Sequence, residues 1–500
     1  MTAALLVSVL LIAACGLIYE LVAGALASYL LGDSVTQFST VIGTYLFAMG
    51  IGSWLSRFVA RGLVARFILV EIMVGVVGGF SSSLLFVAFA YTSAFRLLLY
   101  VLVLVVGILV GLEIPLLMRL LRDRFQFKDV VANVLTVDYL GALGASLLFP
   151  IVLVPKLGLV RAPMLFGAIN VAVALWTTVV LRDALAASTR RGLQALGAAA
   201  LTLLGVGLWK ADAILNLAEA NLYADDVVLA RTTPYQRIVL TAWKDDLRLF
   251  LNANLQFSSR DEYRYHEALV HPGLAALPAA ARVLILGGGD GLALREVLRH
   301  ANVQAVTLVD LDPEMTRLFS SHRELRRLNQ DALIDRRVTV VNADAFTWLD
   351  EGRELFDFAV VDFPDPSNFS LGKLYTTTFY RLLMARLRPD ATFAVQATSP
   401  LFARQAYWCI VTTIEQAGLA VAPYHVYVPS FGEWGFVLAG RAEPRVPTAL
   451  PAGLRFLTTR SLPALFDFPT DMGRVPVEPN RLHTQALVRY YEHEWNAINK

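Results

Sequence analysis

The chain has 500 residues, of which 56% are hydrophobic and only 17% are charged, with a formal net charge of +2 at pH 7. A soluble protein of this size usually carries about 25% charged residues, so a wholly soluble enzyme is excluded, and so is a disordered chain. Residues 1–209 are especially poor in charge, with 13 Lys/Arg and 8 Asp/Glu. The composition predicts a membrane domain over 1–209 followed by a soluble part. Neither part is basic enough to indicate a nucleic-acid partner.

Seven apolar stretches in the first part approach or exceed the ~20 residues that cross the hydrocarbon of a membrane. They are 5–30, 38–60, 67–91, 97–118, 134–154, 160–181 and 193–209, the last being the shortest. Small residues are frequent within them, which favours closely packed helices over separate anchors. We therefore expect an all-α transmembrane bundle of about seven helices, surrounded by lipid in a multi-pass membrane protein.

Four acidic residues lie within or near these stretches: Glu20, Glu71, Glu113 and Asp138. Carboxylates at membrane depth are costly and usually face the interior of a bundle or a watery cavity. Two interpretations stay open. The acids either form a path for a cation or a polyamine, or they make hydrogen bonds between helices.

The soluble part begins with a predicted linker and small β-domain over residues 210–275. Residues 237–243 and 247–252 are apolar or alternate around a polar turn at 244–246, which predicts a β-hairpin. A helix start follows at 258–267, with Ser and Asp as candidate caps.

Residues 276–440 alternate between strand and helix patterns, which predicts a Rossmann-like α/β domain of the methyltransferase type. The predicted strands are 283–286, 306–309, 338–341, 356–361 and 392–396. A glycine-rich loop, 287–291, follows the first strand, and Asp310, Asp344 and Asp362 follow the next three. Open α/β sheets bind their ligands at the carboxyl ends of the strands, so we expect the site there.

The glycine-rich loop distinguishes between possible ligands. Its spacing is not the dinucleotide fingerprint, whereas acids after the second and third strands suit the ribose and the adenine of an adenosyl group. Asp290 in the loop would repel the carboxylate of S-adenosylmethionine but would attract a bare aminopropyl ammonium group. The residues therefore favour decarboxylated S-adenosylmethionine.

Five ordered blocks between residues 223 and 440 resemble the polyamine aminopropyltransferases, the spermidine synthases. The blocks are Tyr235-Gln236, 260–267, 287–297, 309–312 and 362–366. The whole chain looks like the membrane-fused variant of that family. The resemblance implies transfer of an aminopropyl group to putrescine or a related amine, giving spermidine and methylthioadenosine. It implies no metal and no cofactor, the decarboxylated donor being a co-substrate, and it is compatible with a homodimer.

The resemblance also implies roles for single residues. Asp362 would be the catalytic base and Asp365 would hold the acceptor amine. Tyr265, His266 and Asp290 would line the diamine and aminopropyl region. The donor site would comprise Gln236, Gly287, Gly289, Asp310, Asp344 and Ala345. Asp312 and Asp365 have an alternative role as caps of the helices that follow them.

Three features depart from the family pattern. Residues 367–375 replace a Gly-Pro pair and place Phe369 where the family has a nucleoside-contacting proline. Lys373 within this segment either faces solvent or reads a carboxylated acceptor. The sequence at 430–434 replaces a Gly-Gly-x-Trp turn. The C-terminal tail, 441–500, contains an amphipathic helix pattern near 489–495 to which the sequence assigns no role.

Two rival functions remain open at this stage. An S-adenosylmethionine methyltransferase usually has an acid in the strand before its glycines, where this chain has Ile285. A polyamine transporter or sensor with a binding-only soluble domain would use the acids of the bundle.

The side of the membrane depends on the number of crossings. The loops after the second, fourth and sixth stretches hold ten Lys/Arg, and the opposite loops hold three, which places the former in the cytoplasm. Seven crossings would then put the soluble part outside, away from a donor that is made inside cells. We expect a cytosolic catalytic domain, which follows if 193–209 does not cross.

Overall fold

The computed structural model describes residues 2–31, 34–92, 94–121, 127–214, 223, 225–277 and 279–498. Its contacts divide the chain into two compact units, Met1–Val227 and Val228–Lys500. Part of the expected linker (215–222 and 224), the domain-boundary residue Pro278 and two basic loop residues, Arg122 and Arg124, lie outside the described residues.

The first unit is almost entirely helical over its described residues up to 214. Its helices are α1 Thr2–Leu31, α2 Ser34–Leu55, α3 Leu63–Tyr91, α4 Phe95–Leu121, α5 Phe127–Leu148, α6 Val154–Val180 and α7 Ala187–Trp209. Six helical spans among the described residues are long and apolar enough to cross a membrane, and one of them, Val130–Val180, is 51 residues long. This bundle is compatible with the predicted membrane domain.

The 51-residue span is a helical hairpin. Gly158 breaks it with φ 71° and ψ 179°. On α5, Gly141 packs against the carbonyl of Leu10, whereas on α6 the carbonyl of Phe166 accepts a hydrogen bond from Cys15 Sγ at 3.3 Å. Leu10 and Cys15 are about 7.5 Å apart along α1, but a straight helix would separate Gly141 from Phe166 by about 37 Å. The chain therefore reverses between them, and the described residues of this unit form seven helical segments of spanning length.

The seventh helix lies along α6 over its whole length. Gln194 near its start donates to Thr178 at 3.1 Å, and Gly197 packs against Leu175. Farther along, Gly207 approaches Met164. Residue numbers rise on α7 as they fall on α6, so the two helices are antiparallel neighbours.

One of the membrane-depth acids makes a hydrogen bond between helices. Asn170 Nδ2 on α6 donates to Glu71 Oε2 on α3 at 3.0 Å, and both residues are fully buried. This contact supports the interhelical interpretation for Glu71. Glu20, Glu113 and Asp138 stay open between the two interpretations.

The second unit opens with a four-stranded sheet in the order β1-β2-β3-β4. Its strands are β1 Asp226–Thr232, β2 Arg237–Trp243, β3 Asp246–Leu251 and β4 Asn254–Ser258, and helix α8 follows at Glu262–Leu274. The predicted hairpin is β2–β3, and Lys244 in its turn has a φ of 57°. Strands β1 and β4 extend this hairpin and were not predicted from the sequence.

A seven-stranded sheet follows, in which β11 runs antiparallel to its neighbours β9 and β10 and the other pairs are parallel. Its order is β10-β11-β9-β8-β5-β6-β7. The strands are β5 Arg282–Gly287, β6 Ala305–Asp310, β7 Val338–Asn342, β8 Phe356–Asp362, β9 Leu387–Gln396, β10 Ala420–Val428 and β11 Gly432–Gly440. This mixed sheet confirms the predicted Rossmann-like domain.

Helices cover both faces of this sheet. They are α9 Leu292–Leu298, α10 Pro313–Ser321, α11 Arg323–Leu328, α12 Ala345–Glu351, α13 Phe369–Gly372, α14 Thr377–Ala385, α15 Arg404–Gln416 and α16 Ala486–Ile498. Successive residues of β5 alternate between the two buried faces, Val283 and Ile285 on one and Leu284 and Leu286 on the other. Each such side chain contributes roughly 1.5–3 kcal/mol of burial, so the central strands form a firm base for the site.

The C-terminal segment is packed within the second unit. Helix α16, which contains the predicted amphipathic pattern, buries Leu487 in the same core as α15. Cys409 on α15 is buried and donates from Sγ to the carbonyl of Glu478 at 3.1 Å, consistent with a packing role.

Candidate active site

The sheet changes its winding direction between β5 and β8. From β5 the chain adds β6 and β7 on one side and then β8 and β9 on the other. Clefts form at such switch points, outside the carboxyl ends of the strands. Gly287 of β5 pairs with Asp362 of β8, and Asp310 of β6 pairs with Asn342 of β7, so these strand ends form one edge. From β7 to β9 this edge spans about 19 Å.

Asp362 ends β8 at the switch point. Tyr265 of α8 donates its hydroxyl to Asp362 Oδ1 at 2.7 Å. Burial raises the pKa of Asp362, while the charge of His266 and the Tyr265 hydrogen bond lower it. Among the residues that the structure describes, Oδ2 has no hydrogen-bond donor. This oxygen is therefore able to accept a proton from a substrate.

His266 lies beside Tyr265 and is 3% exposed. Its Nδ1 is 2.9 Å from Glu262 Oε2. Burial alone would lower the pKa of His266, but the hydrogen bond and charge of Glu262, together with Asp290 and Asp362, raise it. A protonated His266 would partly offset the negative charge of the two aspartates.

A buried ion network holds Glu262 from behind. Arg295 makes two hydrogen bonds to its carboxylate, at 2.9 and 2.8 Å, and one to Glu296 at 2.8 Å. His271 Nε2 lies 3.1 Å from the same Glu296. Burial opposes ionisation, but His271 and Arg295 lower the pKa of Glu296 to about 2. The sequence did not predict this network, although Glu262 lies within 260–267, one of the five blocks that carry the family resemblance.

The glycine-rich loop turns tightly from β5 into α9. Gly287 and Gly291 have φ of 80° and 76°, a region that favours glycine. Asp290 in this loop is 9% exposed and accepts from the Leu292 amide at 2.9 Å, which satisfies the start of α9. Burial raises the pKa of Asp290 to about 6, against the charge of His266, so the carboxylate remains mostly ionised at neutral pH.

Asp310 holds the other side of the loop. Its Oδ2 accepts from the Gly289 amide at 3.0 Å and its Oδ1 accepts from the Asp312 amide at 2.9 Å. A Cβ atom on Gly289 would lie 2.6 Å from Asp310 Oδ2, so any larger residue there would displace the Asp310 carboxylate. Burial raises the pKa of Asp310 to about 6.

Asp344 is the N-cap of α12, whose first residue is Ala345. Its Oδ1 accepts from the Phe346 amide at 2.8 Å, and its Oδ2 accepts from Lys373 Nζ at 2.7 Å. Burial would raise the pKa of Asp344, but Lys373 lowers it below its usual range. The Lys373 side chain is 35% exposed, which agrees in part with the solvent-facing alternative, while the reading of a carboxylated acceptor stays a prediction. Lys373 is the ion-pair partner of Asp344.

Gln236 approaches the edge from the turn before β2. Its Nε2 donates to Asp312 Oδ2 at 3.0 Å. The other oxygen of Asp312 accepts from the Glu314 amide at 3.0 Å, at the start of α10. Asp312 therefore caps α10, the role that the sequence analysis gave as an alternative for it.

Asp365 follows β8 by three residues and does not cap a helix, because Asn368 caps α13. Its Oδ2 accepts from Thr398 Oγ1 at 3.0 Å and its Oδ1 accepts from Gln396 Nε2 at 3.3 Å. Burial raises the pKa of Asp365 to about 6, while hydrogen bonds from Thr398, Tyr491 and Gln396 lower it.

None of these three partners was predicted from the sequence. Gln396 ends β9, so the rule that found the strand-end aspartates would also have found it. Tyr491 lies on α16, more than a hundred residues beyond Asp365, and no local pattern connects them.

The described residues contain no group of three or more His, Cys, Asp or Glu side chains that could hold a metal ion. The acids of this edge are instead separate: Asp310 and Asp344 lie on the β6–β7 side, Asp290 and Asp362 at the centre and Asp365 beside β9. Such an arrangement suits an extended cationic ligand rather than a metal.

Comparisons with known proteins give one consistent result. A family model described as spermine/spermidine synthase domain matches residues 262–446. The polyamine aminopropyltransferase of Leptospira interrogans is 55% identical over 498 residues, which is 100% of both chains. Polyamine aminopropyltransferase 2 of Ralstonia nicotianae is 56% identical over 507 residues, covering 99% of both chains. The Mycobacterium tuberculosis polyamine aminopropyltransferase is 40% identical over 512 residues, covering 99% of this chain and 97% of the other.

A solved spermidine synthase, crystallised in complex with the transition-state analogue AdoDATO, matches 49% of this chain and 86% of its own, with 24% identity and a TM-score of 0.46. The sequence relatives, by contrast, match over both the helical bundle and the α/β unit. The two units therefore occur together in these relatives.

Proposed function

Because the chain belongs to the polyamine aminopropyltransferase family, we propose that it transfers the aminopropyl group of decarboxylated S-adenosylmethionine to putrescine or a related amine. The products are spermidine and methylthioadenosine. The observation that supports this most directly is the position of Asp362, between the glycine-rich loop of β5 and the Asp365 carboxylate beside β9. In this proposal the base, Asp362, lies between the donor site at the glycine-rich loop and the acceptor site at Asp365.

The reaction is a displacement at carbon. The neutral amine nitrogen of the acceptor attacks the aminopropyl carbon that is bonded to the sulfonium sulfur. The C–N bond forms as the C–S bond breaks, and sulfur takes the electron pair to become a neutral thioether. A protonated amine has no lone pair, so Asp362 Oδ2 accepts the proton that the nitrogen loses. Tyr265 fixes the other oxygen of Asp362 and so directs this one.

The acceptor's second ammonium group binds Asp365 in this proposal. Tyr265 and His266 line the space between the two aspartates, and Asp290 holds the ammonium of the donor's aminopropyl chain. Putrescine has two cationic ends, so it meets one carboxylate at each. A preorganised set of acids also favours cations over anionic substrates.

The nucleoside part of the donor occupies the β6–β7 side. Asp310 binds the ribose hydroxyls, and Gly287 and Gly289 let the backbone approach the donor's tail. The first turn of α12, Asp344 and Ala345, receives the adenine, with Lys373 holding the Asp344 carboxylate in place. Gln236 borders the nucleoside end of the donor site and is held there by its hydrogen bond to Asp312.

The geometry does not favour a methyltransferase. The strand position before the glycines, Ile285, is fully buried in the core and offers no polar contact. Asp290 stands in the loop beside the donor's tail, where the carboxylate of ordinary S-adenosylmethionine would be repelled.

The decisive experiment measures product mass. Full-length protein in detergent is incubated with the decarboxylated donor and a panel of diamines and polyamines, with ordinary S-adenosylmethionine as the matched donor. We expect an amine heavier by one aminopropyl group, together with methylthioadenosine, only with the decarboxylated donor. A methylated amine formed from S-adenosylmethionine would overturn the proposal.

The bundle anchors this enzyme in the cell membrane as a multi-pass domain in contact with lipid. Its support is the six apolar spans of the described chain, the 51-residue one being a hairpin. Carbonate washing of membranes tests it, because an integral protein stays in the pellet. The homodimer that the family resemblance implies stays a prediction.

A further inference from the structure

The segment that joins Asp362 to Asp365 is poor in backbone donors. It consists of Phe363 and Pro364, and a second proline, Pro366, follows Asp365. Proline has no backbone N–H, so the chain offers no amide hydrogen at either proline position. Strand β8 ends at Asp362, so the segment lies beyond the end of that strand. The relative position of the two carboxylates therefore depends on contacts made to the carbonyl groups between them.

One buried side chain contacts both of these carbonyl groups. Tyr375 shares its hydroxyl proton between the carbonyls of Phe363 and Pro364, at 3.3 and 3.2 Å. The same hydroxyl accepts a hydrogen bond from Gln396 Nε2 at 2.7 Å. Tyr375 is fully buried, and burial raises the pKa of its hydroxyl well above the usual range, so the hydroxyl stays a donor. It joins the segment between the two aspartates to the end of β9.

The backbone of Tyr375 is itself held in place. Asn480 Nδ2 donates to the carbonyl of Tyr375 at 3.2 Å and to that of Gly372 at 2.9 Å. The carbonyl of Asn480 accepts from the Thr377 amide at 3.1 Å, and Asn480 is fully buried. The tyrosine is therefore fixed both at its backbone and at its hydroxyl.

We propose that Tyr375 is a positioning residue that fixes the separation of Asp362 and Asp365, and through it the length of diamine that the site accepts. The proposal rests on the proposed function, in which the two ends of the diamine meet these two carboxylates. Each methylene group that is added or removed changes the distance between the two amines of the substrate. A fixed separation of the carboxylates therefore favours one chain length, because only that chain places its attacking nitrogen correctly while its other end is bound.

The test compares two buried tyrosines in the full-length protein. Tyr375→Phe removes the hydroxyl and keeps the ring. Tyr380→Phe is the matched control, because Tyr380 on α14 is equally buried and its hydroxyl has no hydrogen-bond partner among the described residues. With saturating decarboxylated donor, kcat/KM is measured for the unbranched terminal diamines of three, four and five carbons.

For Tyr375→Phe we expect the preference for the best diamine over its neighbours to fall by about fivefold, which is the order of one lost hydrogen bond. Donor affinity, measured by titration, should stay within about twofold of wild type. Tyr380→Phe should keep both the preference and the affinity. The preference is a ratio of rates within one preparation, so it does not depend on the fraction of protein that is folded.

An unchanged preference in Tyr375→Phe would overturn the proposal. An equal fall in kcat/KM for all three diamines would also overturn it, because that result indicates a role in stability alone. If Tyr375→Phe no longer binds the donor, Pro364→Ala takes its place, since it frees the φ angle of the same segment and leaves the buried ring intact. An unchanged preference in that variant would again overturn the proposal. A failure of the proposed function gives a different result, in which the wild-type protein transfers no aminopropyl group to any of the three diamines.

Discussion

Asp362 and Asp365 are three residues apart, but their carboxylates have different partners. Asp362 receives one hydroxyl, from Tyr265, and keeps one oxygen without a donor among the described residues. Asp365 receives hydrogen bonds on both oxygens, from Thr398 and Gln396. A carboxylate with a vacant oxygen suits proton transfer, and a carboxylate held on both sides suits fixed electrostatic binding.

Asp362→Asn tests this division of roles. The amide keeps the shape of the side chain but cannot take a proton, so kcat should fall by about 10²–10⁴. Donor affinity, measured by isothermal titration, should change little because Asp362 does not bind the nucleoside. Asp365→Asn is the matched control and should raise the acceptor KM more than it lowers kcat. A turnover within threefold of wild type in Asp362→Asn would transfer the role of base to Asp365.

Asp290→Asn tests selection of the donor. The amide oxygen still accepts from the Leu292 amide, so the start of α9 is kept while the charge is lost. Binding of the decarboxylated donor should weaken, and its preference over S-adenosylmethionine should fall by at least about tenfold, because a charge–charge term disappears. Titration with both donors measures the ratio. An unchanged ratio would show that Asp290 does not discriminate by charge.

The pH dependence of acceptor binding follows from Asp365. Its pKa of about 6 lies above the usual value for aspartate, so it loses its charge as the pH falls through 6. The kcat/KM for the amine should then fall, approaching about tenfold per pH unit if a single ionisation controls it. Initial rates from pH 5 to 8 measure this limb. A limb near pH 4 would contradict the raised pKa.

At the scale of single residues, the sequence predicts those site residues that directly follow a recognisable strand. Asp310, Asp344 and Asp362 follow apolar strands, and parallel strands bring their carboxyl ends to one edge, so their assembly could be predicted. Lys373 and Tyr491 could not be placed, because their partners, Asp344 and Asp365, are brought near them only by the folding of intervening segments.

At the scale of elements, periodicity predicted the five parallel strands because each is a short, buried, apolar run. Strand β4 was missed because it has only five residues and alternates polar and apolar side chains, a weak pattern without its partner β3. The position of α16 was missed for another reason. Its amphipathic pattern predicts a helix, but what its apolar face packs against depends on the whole unit.

The buried network between α8 and α9 should dominate the stability of the helix that carries Tyr265 and His266. Arg295 is 7% exposed and bridges Glu262 to Glu296. Arg295→Met removes the one guanidinium that bridges both carboxylates, leaving Glu262 with His266 and Glu296 with His271 and Arg299. Breaking a buried ion pair in this way costs about 3–5 kcal/mol. We expect a markedly lower temperature of half-inactivation for the full-length protein.

The matched control for this prediction is Arg299→Met. Arg299 also contacts Glu296, at 2.8 Å, but its side chain is 26% exposed. Partly exposed ion pairs are worth at most about 1 kcal/mol, so its half-inactivation temperature should stay close to that of wild type. Equal effects of the two substitutions would show that the network is not specifically required.

At the scale of the whole molecule, the bundle is as much a property of this family branch as the catalytic unit. The relatives at 40–56% identity are matched over nearly the whole chain. Composition alone predicted the division into an apolar and a charged part, and the structure divides at Val227/Val228. What the sequence left open was the number of crossings, because 193–209 is short and holds no charge.

The packing of α7 in the structure bears on the number of crossings. Helix α7 pairs with α6 over its length, and the Arg161–Asp212 ion pair joins the start of α6 to the residues just after α7. The six-crossing arrangement that would reconcile charge bias with a cytosolic catalytic unit therefore has no support. With seven crossings, the catalytic unit follows α7 on the side opposite the loop that contains Arg182 and Arg190.

We predict that the catalytic unit faces the cytosol and that the basic loops face outward, against the usual charge bias. The reason is chemical, since the enzyme has no function on a side without its donor. A C-terminal fluorescent-protein fusion should be bright and the matched alkaline-phosphatase fusion inactive. The Asp183 side chain is almost fully exposed, so Asp183→Cys should react with a membrane-impermeant maleimide in intact cells if its loop faces outward. The native Cys15 and Cys409 are both buried, so they should add little background labelling. An active phosphatase fusion together with an unlabelled residue 183 would instead place the catalytic unit outside and leave the charge rule intact.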